Sequence, residues 1–364
     1  MTENSFILPN YSKTLKEGVV KWQSPSNIAL VKYWGKYGEQ LPQNPSISFT
    51  LNNCNTTTEL KFQLKETPSN IFDFDVYFEK KLSENFKPKI ETFFNRIEAY
   101  LPFLKQYKFE IHTSNTFPHS SGIASSASGM SALALCLVDI ERSLSGVEME
   151  RSLSEAEIKK ASFLARLGSG SACRSIVGNL VVWGENKAIE GSSNLFGIKY
   201  PHEVHENFNN YQDTILLVDK GEKQVSSTVG HDLMHKHPFA ENRFKQAHDN
   251  LLKLKTVFKT GDLKSFIEIV ESEALTLHAM MMTSLPYFIL MKPNTLEIIN
   301  KIWGFRKETN SNMCFTLDAG ANVHILYPEN ENEKTTEFIK NNLVAFCENG
   351  QYICDQIGFG AKKM

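Results

Sequence analysis

The chain has 364 residues, enough for two domains with separate cores. Its 41% hydrophobic and 22% charged residues describe an ordinary globular protein, and a net charge of -2 excludes a generally basic nucleic-acid binder. No apolar run approaches the roughly 18 residues of a membrane span and residues 1–13 lack a signal-peptide core. The expectation is therefore a cytoplasmic protein with neither nucleic-acid nor membrane partners.

In chain order, residues 27–31 (Asn-Ile-Ala-Leu-Val) fit a buried strand that runs into Lys32, Tyr33 and Lys36. Lysines are seldom buried without partners, so two of them beside aromatics at a strand end suggest an anionic ligand. Snorkelling lysines on a surface turn would read the same way. Residues 59–64, 72–78 and 108–111 alternate polar and apolar side chains like strands of an antiparallel sheet, and 89–104 reads as a helix.

Residues 117–129, Phe-Pro-His-Ser-Ser-Gly-Ile-Ala-Ser-Ser-Ala-Ser-Gly, form a small-residue loop running into an apolar helix over 130–140. Such a loop offers unpaired backbone N–H groups and the positive end of a helix dipole to an anion, here a nucleotide polyphosphate. Gly122 lets a phosphate approach the main chain, and Ser125, Ser126 and Ser128 add hydroxyls for phosphate oxygens or a divalent metal. Taken alone, the loop is equally a Ser-rich helix cap without a ligand. It is neither a Walker loop nor a dinucleotide fingerprint.

Residues 154–167 open with Ser154 and Glu157 in a capping-box arrangement and read as a helix. A second Gly/Ser loop follows, Gly168-Ser-Gly-Ser-Ala-Cys-Arg174, whose arginine could fork onto a carboxylate or phosphate or simply lie on the surface. A strand is predicted at 176–183, and the polar stretch 185–210 marks a domain boundary. Beyond it come a strand at 214–219, helices at 240–260, 263–282 and 295–307, strands at 314–317 and 323–327, and a closing helix at 335–346. Asp318 ends an apolar strand beside Ala-Gly-Ala, either as a chemical group or as a turn former. The six cysteines show no C-x-x-C pair, the ten histidines no metal spacing, and His231, His235 and His237 read as a solvated segment. Strands and helices mix without βαβ regularity, which indicates α+β layers and not a doubly wound sheet.

Four of these clusters carry a resemblance. Lys32-Tyr-Trp-Gly-Lys36, the 117–129 loop, Gly168–Arg174 and Asp318-Ala-Gly stand in the order and wording of the diphosphomevalonate decarboxylase family, of the GHMP small-molecule kinase superfamily. The resemblance runs from about Trp22 to Gly360. It implies the GHMP kinase fold, an N-terminal α/β domain (21–200) and a C-terminal ferredoxin-like domain (201–364) with the active site in the cleft between. Residues 1–20 form an N-terminal extension to which no role is assigned.

The resemblance also implies the chemistry. The family phosphorylates the tertiary 3-hydroxyl of (R)-5-diphosphomevalonate with ATP and Mg²⁺, and loss of that phosphate with carbon dioxide gives isopentenyl diphosphate. Asp318, Lys32 and Arg174 are then the expected catalytic residues, Asp318 as base or orienter and Arg174 on the substrate carboxylate. Asn27, Tyr33, Lys36, Ser169, Gly170, Ser171 and Ser227 are expected around the substrate. Pro118, Ser121, Gly122, Ile123, Ala124, Ser125, Ser126 and Ala127 are expected around ATP, with Ser125 and Ser126 at Mg²⁺, and a homodimer is expected. Three positions depart from the pattern: Thr228 stands where an arginine usually touches the diphosphate, Pro45 replaces a serine, and His119-Ser-Ser replaces smaller residues. The Thr228 change keeps the 5-monophosphate open as an alternative substrate.

Overall fold

The structure is a computed structural model that describes every residue except 9, 119–122, 148–150 and 222–226, and omits the side chains of 227 and 228. The chain opens with β1 (Glu17–Val31), a small hairpin of β2 (Lys36–Tyr37) and β3 (Leu41–Pro42), and the long β4 (Ser46–Leu64). Next come β5 (Asp73–Phe78), β6 (Lys81–Leu82), α1 (Lys87–Ile97), β7 (Tyr107–Asn115), α2 (Ser125–Leu144), α3 (Glu155–Gly168), β8 (Leu180–Trp183) and β9 (Ile198–Lys199). The remainder holds β10 (Gln212–Leu216), α4 (Ser227–Asp232), α5 (Ala240–Thr260), α6 (Leu263–Met282) and α7 (Pro293–Thr309). It closes with β11 (Cys314–Thr316), β12 (Val323–Tyr327), α8 (Asn332–Phe338), β13 (Tyr352–Gln356) and β14 (Lys362–Lys363).

Two sheets carry the fold. The first runs β14-β1-β4-β7-β5-β6, with β8 paired to β4 and β9 to β8, and only β5 and β7 are parallel. Its apolar face packs on α1, α2 and α3 through Leu60, Phe94, Phe109, Leu137 and Leu164. Helix α2 is buried nearly all round, as a helix wedged between a sheet and another helix must be. The second sheet is antiparallel, β11-β12-β10-β13. Strand alternation sends Ile215 and Leu326 to one core with α5 and α6, and Leu216 and Ile325 to another with α7. The first of these cores also takes in Ile28, Leu30, Ile47 and Phe49, so the far ends of β1 and β4 join the two halves.

Local signals explain the helices. Ser154 Oγ accepts from the Glu157 N–H at 3.3 Å while Glu157 reaches back to the Ser154 N–H at 2.6 Å, closing the capping box. Helix α5 stops at Gly261, whose left-handed φ of 74° is a C-terminal cap, and Asp262 then caps α6 by accepting from the Ser265 N–H at 3.1 Å. That two-residue turn sets α5 and α6 antiparallel. Their bounds agree with the sequence expectation, and so does the α+β class.

Other expectations need correction. The 89–104 helix ends at Ile97, because Pro102 starts a separate 3₁₀ turn (Pro102–Lys105). The 176–183 strand begins only at Leu180; Asn179, at φ 68°, breaks the extended run before it. The 335–346 helix divides into α8, a π turn (Ile339–Leu343) and a 3₁₀ turn (Val344–Phe346). The 185–210 stretch, polar as it is, buries Ile189, Phe196, Tyr200 and Phe208, and β9 pairs there. His231 and His237 are buried, against the solvated reading, while His235 is exposed.

Phe6 and Glu3 near the N-terminus contact the first half. Phe6 stacks on Phe163 with ring centroids 4.3 Å apart, and Glu3 Oε1 lies 3.2 Å from Arg166 Nη2. Phe6→Ala should cost about 3 kcal/mol, the usual loss for a buried Phe truncated to Ala. Urea midpoints of the two proteins check this; equal midpoints would mean that the segment contributes no stability.

Candidate active site

The site lies where β1 runs out. Lys32 follows Val31 into the seam between the halves, and its side chain is only 2% exposed. Its Nζ sits 3.0 Å from Asp318 Oδ1, on the loop after β11, and the Asp318 side chain remains 32% exposed. Burial pushes the Lys32 ammonium down from its usual range, and the Asp318 carboxylate opposes that shift. A buried cation has thus been matched with one partly open carboxylate that can still meet a ligand.

Arg174 belongs to the 3₁₀ turn Gly170–Ser175 after α3 and is buried. It is not the surface arginine that its loop allowed. Its Nε donates to Asn27 Oδ1 at 3.3 Å, its Nη1 donates to Ser46 Oγ, and its guanidinium lies 5.9 Å from the Trp183 ring centroid. Burial lowers its pKa, with Cys173 and the Asp318 carboxylate opposing, and an arginine so placed stays charged. Asn27 is held in turn by donating to the Ser171 carbonyl at 3.3 Å and Ser175 Oγ at 2.8 Å. The Gly168–Arg174 loop is therefore stitched to the end of β1.

Tyr33 packs against Trp183 at 4.6 Å and against His231 at 4.1 Å. Its hydroxyl is buried with no hydrogen-bond partner among the described residues, and burial raises its pKa. Gly170 is required beside it, since a Cβ there would stand 2.8 Å from that hydroxyl. Lys36 on β2 lies 3.9 Å from Asp232 Oδ1; burial lowers its pKa, Asp232 opposes, and Arg96 adds to the lowering. Ser169 links α3 to the turn that carries Ser171. Ser227 opens α4, and its side chain, like that of Thr228, lies outside the described residues.

The predicted phosphate loop does lead into a helix, for α2 begins at Ser125. Ala124 takes a left-handed φ of 41° at its start. The Ala127 and Ser128 N–H groups already donate to the Ala124 carbonyl, at 2.7 and 3.3 Å, and Ile123 is buried with its carbonyl accepting from Ser26 Oγ at 2.7 Å. Ala127 is fully buried, so it supports the loop through packing. Pro118 is exposed at the loop entrance, and the expected Ser121 and Gly122 lie outside the described residues. Ser125 and Ser126 line a small cleft together with Thr56, Phe78, Lys89 and Asn115. Lys89 Nζ donates to Ser126 Oγ at 2.8 Å, adding a cation at the helix start. Among the described residues, no group of three or more His, Cys, Asp or Glu side chains could hold a metal.

The sequence reading missed several neighbours of this site. Asn44 Nδ2 donates to the Lys32 carbonyl at 2.9 Å, and Arg243 and Glu273 also hold the Lys32 peptide. His278 and His231 contact Asp318 and Gly35 through backbone groups, at 3.1 and 3.0 Å. Asn44 adjoins Pro45 in the first motif region and His231 stands in the histidine segment read as solvated, whereas Arg243, Glu273 and His278 lie in no motif.

Fold and site together define an enzyme of the GHMP kinase fold. The sequence matches the diphosphomevalonate decarboxylase-like N-terminal domain over residues 24–194 and the mevalonate 5-diphosphate decarboxylase C-terminal domain over 214–358. It is 28% identical to a diphosphomevalonate decarboxylase of Ganoderma lucidum, over 87% of this chain and 80% of that one. The structure of MDDEF in complex with MVAPP, AMPPCP and magnesium superposes with a TM-score of 0.80 at 27% identity, covering 96% and 99% of the two chains. The mevalonate diphosphate decarboxylase of Enterococcus faecalis gives a TM-score of 0.78 at 26% identity, with the same coverage. The chain belongs to the diphosphomevalonate decarboxylase family.

Burial, reinforced by Lys36 and Arg174, pushes His231 down to about 3, so it is neutral in the folded protein. Since an unfolded histidine titrates near 6.5, the unfolded chain binds the extra proton between these values. The contribution of His231 to stability is thus present above about pH 6.5 and lost as pH falls toward about 3. His231→Gln keeps an acceptor for the Gly35 N–H but cannot titrate. Its urea midpoint should fall less steeply than wild type between about pH 6.5 and pH 5; parallel slopes would show that His231 does not carry this dependence.

Proposed function

We propose that the chain converts (R)-5-diphosphomevalonate and ATP to isopentenyl diphosphate, ADP, phosphate and carbon dioxide, with Mg²⁺. The observation that carries this is the Lys32–Asp318 pair at 3.0 Å, with Arg174 buried beside it and a helix-opening phosphate loop in the same half. A tertiary hydroxyl is a poor leaving group. Phosphorylation turns it into phosphate, after which the C–O bond and the bond to the carboxylate carbon break together or in turn to leave an alkene.

Asp318 is proposed to accept or orient the 3-hydroxyl proton, and Lys32 to keep that carboxylate charged and face the incoming phosphoryl oxygens. Arg174, held by Asn27 and Ser46, would fork onto the substrate carboxylate. Ser169, Gly170, Ser171, Tyr33, Lys36 and Ser227 are proposed around the terminal phosphates, where the unpartnered Tyr33 hydroxyl needs an acceptor. The 118–127 loop would take ATP. Ser125 or Ser126 would hold a metal through its hydroxyl, together with the nucleotide phosphates. Mg²⁺ bound in that way supplies neutralisation of phosphate charge. The diphosphate is favoured over the monophosphate by the relatives' stated substrate. A cytosolic homodimer completes the proposal; five of the six cysteines are buried free thiols, which suits a reducing compartment.

The test is to supply MgATP with either mevalonate phosphate and follow ADP and carbon dioxide. Equal amounts of both products, with faster turnover on the diphosphate, are expected. Carbon dioxide release that does not need ATP would exclude the mechanism, and preference for the monophosphate would correct the substrate.

Asp318→Asn should still bind both ligands but lower single-turnover ADP formation by about 10²–10⁴-fold, the usual contribution of a general base. A rate per folded molecule within about threefold of wild type would make Asp318 a turn residue only.

A further inference from the structure

Lys32 stands just past the β1–β4 ladder, whose last pair is Val31 with Ile47. Its peptide groups are buried without a strand partner and must be satisfied elsewhere. The Lys32 N–H donates to Glu273 Oε2 on α6 at 2.9 Å, and the Lys32 carbonyl accepts from Arg243 Nη2 on α5 at 3.1 Å. Arg243 and Glu273 meet fork to fork, with Nη2–Oε2 at 2.6 Å and Nη1–Oε1 at 3.1 Å, and neither side chain is exposed at all. Asn250 on α5 donates to Glu273 Oε1 at 2.7 Å, so the carboxylate is fully engaged.

The same helix reaches the other member of the pair. His278 Nε2 lies 3.1 Å from the Asp318 carbonyl oxygen, and since a carbonyl can only accept, the ring proton is on Nε2. Burial pushes this imidazole down to about 4, so it is a neutral donor. Glu273 and His278 are five residues apart on α6, roughly 7.5 Å along its axis. One rigid element therefore holds the backbone of both Lys32 and Asp318.

We propose that α6 is the spacer of the active site: Glu273, clamped by Arg243, and His278 are positioning residues that fix the separation and aim of the Lys32 ammonium and the Asp318 carboxylate. A buried ion pair is a poor source of stability beside apolar packing of equal volume. What apolar side chains could not do is partner both the N–H and the C=O of one peptide. The proposal rests on Lys32 and Asp318 being the reacting pair.

The test is single-turnover ADP formation by Glu273→Gln, His278→Leu and His278→Gln, each alone and combined with Asp318→Asn. Glu273→Gln turns one acceptor into a donor facing Arg243 and should misplace Lys32, lowering the phosphoryl-transfer rate about 10–100-fold. KM for ATP and for the mevalonate substrate should stay within about threefold. His278→Leu should lose a similar amount, and His278→Gln, whose amide can donate to the same carbonyl, should recover most of it. In the Asp318→Asn background the His278 losses should shrink to under about threefold, because no carboxylate remains to be aimed. Losses that persist undiminished there, or a His278→Gln protein no better than His278→Leu, overturn the proposal. If Glu273→Gln does not fold, the His278 comparison decides alone. Wild-type phosphoryl transfer by Asp318→Asn itself would instead overturn the reading of the reacting pair, and the spacer with it.

Discussion

A lysine ammonium buried to 2% exposure is a heavy constraint, and the arrangement of the two halves follows from meeting it. Desolvating an isolated ammonium costs several kcal/mol even after relaxation, so Lys32 needs a counter-charge at contact distance. Asp318 supplies it from the opposite half. The seam therefore cannot open by much without stranding a cation in a low-dielectric interior. The apolar core shared by Ile28, Phe49, Ile215 and Leu251 closes the same seam by a non-directional force, while the ion pair and the Lys32 peptide contacts fix its register.

The chemistry requires cations in a protein of nearly balanced charge. They are concentrated locally: Lys32, Lys36 and Arg174 lie around the end of β1 and the Gly168–Arg174 turn, and Lys89 lies at the start of α2. Burial strengthens Lys32 and Arg174 for an anion, since the competing water is excluded, whereas Lys89 is exposed. Burial also explains the neutral histidines, because an imidazolium at His231 would be cut off from water and would sit beside Lys36 and Arg174.

Much of this was legible in the chain. Elements with complete end signals, such as the helix opened by Ser154 and Glu157 and the pair joined at Gly261–Asp262, lie where the pattern put them. The structure departs from the sequence pattern where Pro102 opens its own 3₁₀ turn and where the closing helix passes into the π turn at Ile339–Leu343. Strand β14 was invisible because two residues carry no period; it forms by pairing with Trp22 and Gln23.

By itself the sequence determined the residue types of the chemistry, the two Gly/Ser loops and the family, because motifs such as Lys32-Tyr-Trp-Gly-Lys36 are contiguous and their meaning is local. Tertiary structure alone decided that Arg174 is buried under Ser46 and Trp183, and that Arg243, Glu273 and His278 hold the backbone of Lys32 and Asp318. An arginine or glutamate inside an amphipathic helix looks like any solvated side chain in sequence. Only when α5 and α6 fold against the end of β1 does the unpaired, buried peptide of Lys32 require partners, and the requirement comes from residues more than 200 positions away in the chain.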